Sequence, residues 1–319
     1  MLRAGLLFLI LVMAVGGIVA FGTERFYKPG ALARPVTLVI PRGESVAEIT
    51  QHLEAAGVLG NGLLFRIGVR FSGNDRALRA GEYVFPAFVS PSGTMEILVK
   101  GEALLHKFTV AEGLTTTNIL ALVKAADGLD GEITKVPLEG ELFPETYAYV
   151  WGERRASLIG RMRGAMAATL KKLWAERAEG LPLETPQEAL ILASIIERET
   201  AVPGERPRIA AVFLNRLKRG MRLQSDPTVI YALSKGEGRL DRPLTKADLN
   251  LDHPYNTYRI RGFPPGPISN PGRAAIEAAL NPLETDELYF VADGSGGHAF
   301  AYTLKEHRKN IHRLLRLQK

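Results

Sequence analysis

An unbroken apolar run near the amino terminus is the strongest constraint on how this chain can fold. Ala4 to Phe21 (AGLLFLILVMAVGGIVAF) contains no charged residue over 18 positions. A helix of that length spans about 27 Å, close to the thickness of a bilayer core. The run is longer than the apolar segment of a usual signal peptide, which favours an uncleaved transmembrane anchor over residues 1–21. A cleaved signal peptide is the alternative, because Ile18-Val19-Ala20 resembles a weak cleavage site.

The remaining chain has the composition of a folded globular protein. Of 319 residues, 46% are hydrophobic and 23% are charged, which fits about two domains. The absence of cysteine excludes disulfides, a thiolate nucleophile and a cysteine-based zinc site. The six histidines show no spacing typical of metal ligands, so we expect no metal and no other cofactor. The net charge is +6, but the basic residues are interspersed with acidic ones along the chain. We therefore expect no nucleic-acid partner.

A short linker, residues 22–35, leads into a region with a weak internal repeat. Each copy has the pattern of a strand, a glycine turn and a capped helix. The two copies align at three pairs of positions: Gly43 with Gly113, Ser45 with Thr115, and Ile49 with Ile119. The region contains no cluster of acids and bases, so we interpret residues 36–135 as a small α/β binding or spacing module.

Helix start and stop signals dominate the second half, which predicts an α+β protein with a mainly helical domain over residues 136–319. Thr185-Pro186-Gln187-Glu188 combines an N-cap, a proline in the first turn and a capping glutamate. The helix that follows, Gln187–Thr200 (QEALILASIIERET), is apolar on nearly every side, which predicts a buried central helix. Leu288–Ala292 and His298–Tyr302 predict a β-hairpin around a glycine-rich turn.

Glu199 is the strongest candidate for acid–base chemistry. It lies at i+7 on one helical stripe whose other members are Leu192, Ile195 and Ile196. The glutamate would therefore project from an apolar wall, in the last helical turn. Burial and the negative end of the helix dipole both raise the pKa of such a carboxyl. An acid that stays partly protonated near neutral pH can protonate a leaving oxygen.

The competing interpretation of this segment is structural. Glu197 lies two residues earlier and points about 200° around the helix, so the two glutamates do not face each other. Both could instead form ion pairs with nearby arginines, and spacing alone favours that alternative. The arginines in question are Arg198, Arg206 and Arg208.

Two polar segments have residue types that suit sugar recognition. One begins a helix at Gln224-Ser225-Asp226, and the other is the proline-flanked loop Tyr255-Asn256-Thr257-Tyr258. Tyrosine rings stack on sugars, and asparagine can bond hydroxyl and N-acetyl groups. We predict that six residues bind substrate: Gln224, Ser225, Asp226, Tyr255, Asn256 and Thr257. The alternative is turn chemistry, with Asp226 as a helix cap and Asn256 as a turn residue.

Several long motifs in order make the chain similar to a known family. They are EGELFPETY (Glu139–Tyr147), LILASIIERETAV (Leu190–Val202), QSDPTVIYAL (Gln224–Leu233), YNTY (Tyr255–Tyr258), GFPPGPISNPG (Gly262–Gly272) and FVADGSGGHAF (Phe290–Phe300). These motifs resemble the endolytic murein transglycosylase family, also called MltG or YceG-like, from about Glu139 to the carboxyl terminus. The amino-terminal half resembles the family in architecture, with one membrane anchor followed by a LysM-like module.

The resemblance implies a lytic-transglycosylase-like catalytic domain that cleaves nascent peptidoglycan strands, a carbon–oxygen lyase activity on a polysaccharide. It implies a single-pass protein of the cell (inner) membrane with its catalytic domain on the extracytoplasmic, periplasmic side. Peptidoglycan synthases are then candidate partners. Ile195–Thr200 is similar to the Glu-Ser segment of other lytic transglycosylases, in which the glutamate before the hydroxyl residue is catalytic. That similarity selects Glu199 rather than Glu197.

The expected reaction breaks the β-1,4 bond between N-acetylmuramic acid and N-acetylglucosamine. Glu199 would act first as acid and then as base, and a 1,6-anhydro ring would form without water. Two alternatives remain open: a muramidase-type hydrolase that uses Glu199 and Asp226, and a peptidoglycan-binding scaffold without catalysis.

Overall fold

A computed structural model describes residues 2–317, with side chains from Gly5 onward. Its first helix, α1, runs from Leu2 to Tyr27. Within the described residues, Gly5–Tyr27 is the one helical segment long and apolar enough to cross a membrane. The helix continues beyond the apolar run, so residues 22–27 of the predicted linker are helical. Two contacts explain the extension: the Thr23 hydroxyl donates to the Val19 carbonyl, and Glu24 forms an ion pair with Lys28 one turn later.

The described chain is a mixture of helices and short strands. The first half contains β1 (Val36–Ile40), α2 (Val46–Ala55), α3 (Gly62–Phe71), β2 (Gly81–Phe85), α4 (Pro91–Lys100), β3 (Leu105–Thr109), α5 (Thr116–Ala125), β4 (Leu129–Asp130), β5 (Thr146–Val150) and β6 (Glu153–Arg154). The second half contains α6 (Arg155–Ala175), α7 (Pro186–Glu199), α8 (Arg206–Lys218), α9 (Asp226–Leu233), α10 (Arg273–Leu280), β7 (Tyr289–Ala292), β8 (His298–Ala301) and α11 (Leu304–Leu317).

The chain divides into two compact units, and the first is built on a β-α-α-β core. It contains residues up to 107 together with 127–130 and 148–154. Strands β1 and β2 pair antiparallel, with Val36 opposite Phe85 and Ile40 opposite Gly81. The predicted N-cap at Ser45 is confirmed, because its hydroxyl accepts the Glu48 amide in a capping box. The buried side chains of this unit come from both strands and from α2, α3 and α4: Ile40, Ile49, Leu53, Phe65, Val69, Tyr83, Phe85 and Leu98.

The second unit is organised around α7. The capping box between Thr185 and Glu188 is present, as the sequence predicts. The prediction of a buried central helix is also confirmed, since every residue of α7 from Ala189 to Ile196 is buried. Helices α6, α8, α9 and α10 pack around α7. The Ser194 hydroxyl accepts the Ile268 amide, which ties the proline-rich segment before α10 to the central helix.

Both copies of the internal repeat form the predicted turn and helix, but they belong to different units. Gly43 and Gly113 each adopt a positive φ, 85° and 75°, and Thr115 caps α5 as Ser45 caps α2. Helix α5 clusters with the second unit, whereas the sequence predicted one module over residues 36–135. The reason lies in its bonds: Asn270 donates to the Leu114 carbonyl, and the Gly113 amide donates back to the Asn270 carbonyl.

Strands β7 and β8 pair antiparallel around the turn at Asp293–Gly297, with Tyr289 opposite Ala301. Helix α11 follows directly and packs against both strands. Hairpin and helix together form one wall of the cavity described next.

Candidate active site

Glu199 ends α7 and faces a cavity of about 600 Å³ in the second unit. Leu192, Ile195 and Ile196, the other members of its helical stripe, are fully buried. The Glu199 side chain itself is half-buried, with its remaining exposure toward the cavity. Burial among protein atoms raises the pKa of this carboxyl to about 7. The glutamate can therefore exchange a proton near neutral pH.

Ser225 is the direct partner of Glu199. Its hydroxyl donates a 2.5 Å hydrogen bond to Oε1 of the glutamate. Ser225 occupies the N-cap position of α9, where a serine normally accepts a backbone amide, but here its side chain makes no capping bond. The Ser225 hydroxyl bonds to the Glu199 carboxyl instead of capping the helix. A bond of this kind favours the carboxylate and partly offsets the effect of burial on the Glu199 pKa.

Thr257 holds Ser225 in place from the loop Tyr255–Tyr258. The Ser225 amide donates to the Thr257 hydroxyl at 2.9 Å, and the hydroxyls of Thr257 and Thr228 are also 2.9 Å apart. Both threonine side chains are fully buried, so they support the site from behind and do not line the cavity.

Asp226 forms the second polar contact at the cavity wall. Its Oδ1 accepts the Tyr258 hydroxyl at 2.6 Å. Burial and the Asp226 carboxylate raise the pKa of Tyr258, so its hydroxyl stays protonated. The negative charge on Asp226 also raises the pKa of Glu199. The N-cap position of α9 belongs to Ser225, so Asp226 is not the helix cap that the alternative interpretation proposed.

Arg216 supplies a buried positive charge beside these acids. Its guanidinium donates to the carbonyls of Leu223 and Leu288, each at 2.7 Å, and lies 5.2 Å from the centre of the Tyr289 ring. The arginine lowers the pKa of Glu199 by charge attraction, although burial has the larger, opposite effect. Gln224 adopts a positive φ of 56° and accepts a bond from Arg216 at 3.4 Å.

Glu197 has a different environment from Glu199, because it forms the ion pair with a nearby arginine that the structural interpretation expected. It is nearly buried and accepts a bond from Arg206 at 3.1 Å and from the Gly272 amide at 2.9 Å. Arg208 pairs with Glu287, and Arg198 donates to backbone carbonyls. The structural interpretation therefore fits Glu197, while Glu199 faces the cavity.

The structure brings some of the predicted binding residues together and separates others. Gln224 and Asp226 line the cavity with Glu199, and Ser225 and Thr257 lie behind them. Within the described chain, the lining of this cavity does not include Tyr255 or Asn256. Tyr255 instead packs against Tyr231, with ring centres 5.0 Å apart.

Asn256 is fully buried and bonded to backbone on both sides of its amide. Its nitrogen donates to the carbonyls of Leu249 and Leu251, and its oxygen accepts the Tyr258 amide. These contacts favour the alternative interpretation, in which Asn256 is a turn residue.

Four polar residues of the lining were not singled out from the sequence as candidates for the site. They are Arg216, Tyr289, His307 and Arg308. A signal existed for Arg216, which with Asn215 interrupts the apolar stretch Val212–Leu217 on a helix that buries Ile209–Leu214. His307 stacks on Tyr289 at 5.1 Å, a contact across the hairpin and α11 that no spacing in the sequence reveals. Within residues 2–317, no group of three or more acids and histidines is arranged to hold a metal ion.

Fold and site together define an α+β protein with an apolar amino-terminal helix and an acid of raised pKa that faces a cavity of mixed polar and apolar lining. The chain belongs to the YceG-like family, whose model matches residues 38–313. It is 34% identical to the endolytic murein transglycosylase of Bacillus subtilis (strain 168), over 86% of this chain and 83% of that protein.

Two further proteins are similar. The endolytic murein transglycosylase of Streptococcus pneumoniae serotype 2 is 32% identical over 86% of this chain, and the match spans 58% of that protein's length. The crystal structure of a YceG-like protein from Listeria monocytogenes superposes with a TM-score of 0.54 and 31% identity. That match covers 86% of this chain and 98% of the Listeria chain.

Proposed function

We propose that this protein is a peptidoglycan lytic transglycosylase that cuts inside glycan strands, with Glu199 as its acid and then its base. The observation that carries the proposal is the position of Glu199, a carboxyl at the end of α7 that faces the cavity and has Ser225 as its hydrogen-bond partner. The Glu199 pKa of about 7 lets one carboxyl donate a proton and take one back near neutral pH. The names of the Bacillus and Streptococcus relatives support murein as the substrate.

The proposed chemistry needs no water and no second carboxylate. Protonated Glu199 gives its proton to the bridging oxygen as the bond from C1 of N-acetylmuramic acid breaks. The C6 hydroxyl of the same sugar then attacks C1, and the Glu199 carboxylate removes its proton. The products are a 1,6-anhydromuramic end and a free hydroxyl on N-acetylglucosamine, and Glu199 is protonated again.

The neighbours of Glu199 fit these two roles. Ser225 fixes one carboxyl oxygen, which leaves the other available to the sugar. Arg216 stabilises the carboxylate after the first proton transfer, since its charge favours the ionised form. Tyr258 and Tyr289 line the cavity and offer rings and hydroxyls to the glycan.

A hydrolase is the second candidate, because Asp226 lines the same cavity. In that reaction Asp226 would serve as base or nucleophile. The contact with the Tyr258 hydroxyl occupies one oxygen of Asp226. This bond favours a role for Asp226 in positioning Tyr258.

The location of the enzyme follows from its substrate. We propose that α1 is a single membrane anchor and that the rest of the chain lies outside the cytoplasm, where peptidoglycan is. The first unit, with its β-α-α-β core, is proposed as a LysM-like glycan-binding module. Peptidoglycan synthases are candidate partners at the membrane.

Replacing Glu199 with glutamine tests the proposal, with Glu197→Gln as the matched control. Glu199→Gln keeps the shape of the side chain but removes proton transfer, so release of fragments from purified sacculi should fall at least 10²-fold, or about 3 kcal/mol in barrier. Its melting temperature near pH 8 should not fall, because the folded protein no longer holds a buried carboxylate there. Glu197→Gln should keep most of the activity but melt earlier, since Arg206 loses the closer of its two carboxylate partners, Glu197 and Glu112.

Under this proposal, Glu199→Gln loses activity and keeps its melting temperature, whereas Glu197→Gln keeps most of its activity and melts earlier. Equal losses of activity would mean that Glu197 and Glu199 are not distinguished by their environments. No cleavage by the unaltered protein, with retained binding to sacculi, would instead support a scaffold.

A further inference from the structure

Helix α3 carries a row of exposed apolar side chains. Leu63, Ile67 and Phe71 are four residues apart and therefore share one helical face. Their exposed fractions are 59%, 45% and 90%, while the opposite face buries Phe65 and Val69 in the core. Soluble proteins rarely expose such contiguous apolar surface without a partner.

This row adjoins the end of α1. The ring of Phe26 lies so close to Gly68 that a Cβ there would be 2.1 Å from it, so only glycine permits the contact. One turn earlier, Leu64 of α3 lies beside Gly22. Gly22 directly follows Phe21, the last residue of the apolar run. If α1 spans a membrane, α3 is therefore held at the level where the bilayer ends.

The apolar surfaces of the two helices are continuous. A groove of about 580 Å³ runs between them, and its apolar lining includes Ile18, Val19, Phe21, Leu64, Ile67 and Phe71. The first three belong to the run proposed to lie in lipid. The groove thus opens toward acyl chains rather than toward bulk water.

The charges around the row fit lipid headgroups. Arg66 and Arg70 are exposed on α3, and the helix contains no acidic residue. Arg25 and Lys28 line a second cavity on the other side of Leu64, together with Asn61. An amphipathic helix with apolar residues on one face and arginines beside them is typical of the interface of anionic membranes.

We propose that α3 lies in the headgroup region of the bilayer and docks the first unit onto anionic phospholipid. Leu63, Ile67 and Phe71 enter the acyl boundary, and Arg66 and Arg70 contact phosphates. The inference rests on the proposed membrane anchor. It adds that the first unit lies on the membrane surface rather than hanging from a flexible linker.

Depth-dependent fluorescence quenching tests this surface in the full-length protein. The chain has no cysteine, so single cysteines can carry a probe at chosen sites. Three variants suffice: Phe71→Cys on the row, Val12→Cys in α1, and Leu105→Cys as an exposed apolar control in the same unit. The protein is reconstituted in vesicles of phosphatidylethanolamine and phosphatidylglycerol that contain lipids spin-labelled in the headgroup or deep in the chain.

We expect headgroup-labelled lipid to quench the probe at position 71 about twofold or more and to leave position 105 unchanged. Position 12 should respond most to the deep label. Quenching at 12 without quenching at 71 overturns the docking of α3 while the anchor stands. No quenching at 12 overturns both. A shielded but unquenched probe at 71 would show that a protein, and not lipid, covers the row, which also overturns the proposal.

The charges are tested by reversing Arg66 and Arg70 to glutamate in the Phe71→Cys background. Quenching at position 71 should fall about twofold or more when phosphatidylglycerol is present, because the anionic surface then repels the helix. Equal quenching with and without the reversal would overturn the role given to the arginines.

Discussion

Glu197 and Glu199 lie two residues apart on α7, and their partners decide what each can do. Glu197 is paired with Arg206 and the Gly272 amide, which hold it in a structural contact. Glu199 has one neutral partner, Ser225, and an open cavity. Burial without a compensating ion pair raises the pKa of Glu199, and this difference is what makes it the candidate acid.

The bond from Ser225 leads to a prediction about pH dependence. Because this bond favours the carboxylate, Ser225→Ala should raise the pKa of Glu199 above its value of about 7. Glu199 then stays protonated to higher pH, so the alkaline limb of the pH–rate profile should shift to higher pH. Initial rates of sacculus digestion across the neutral range measure the shift.

Ser234→Ala is the control for that profile. Ser234 lies at the other end of α9, where its hydroxyl donates to the Tyr231 carbonyl, and its loss should leave the limb in place. If the alkaline limb of Ser225→Ala stays in place or shifts to lower pH, the limb does not report the pKa of Glu199.

In the loop before the proline-rich segment, the side chain of Asn256 bonds to backbone groups. Asn256 bonds the carbonyls of Leu249 and Leu251 and the amide of Tyr258, and it is fully buried. It therefore shapes the turn that carries Tyr258 toward Asp226. The residue type that suggested sugar recognition in the sequence is equally suited to holding a turn.

We predict that Asn256→Ala lowers the free energy of unfolding by about 2–4 kcal/mol, since three hydrogen bonds of a buried amide are lost. Chemical denaturation of the purified protein measures the change. Normal stability combined with weaker binding to glycan strands would contradict this and restore the binding role.

Local signals in the sequence predicted the elements well, because caps and periodicity depend on neighbours. The N-cap at Ser45, the capping box at Thr185 and the buried stripe of α7 follow from residues within one or two turns. The placement of α5 in the second unit could not be predicted, since it depends on Asn270, more than a hundred residues away. The stacking of His307 on Tyr289 in the cavity wall likewise forms only when the hairpin and α11 pack together.

At the scale of the whole molecule, the chain forms two compact units, and the first begins with the apolar helix that alone, among the described residues, is long enough to cross a membrane. Its length fits a single membrane crossing. The charges that flank the run, Arg3 before it and Glu24, Arg25 and Lys28 after it, do not orient the helix. We infer the orientation from the proposed substrate, peptidoglycan, which lies outside the cytoplasm.

We predict that a reporter active only in the cytoplasm gives no signal when fused to Lys319 of the full chain. The same reporter at the amino terminus should be active, because Met1 then lies on the cytoplasmic side. An active carboxyl-terminal fusion would place the catalytic unit away from peptidoglycan and contradict the proposed function.

The central claim is that Glu199 cleaves glycan strands without water. Mass spectrometry of fragments released from purified sacculi tests it most directly. The fragments should end in 1,6-anhydromuramic acid, lighter by one water than hydrolysis products, and they should be lost with Glu199→Gln. Ordinary reducing ends, which take up water, would contradict the claim and make Asp226 the second carboxylate of a hydrolase.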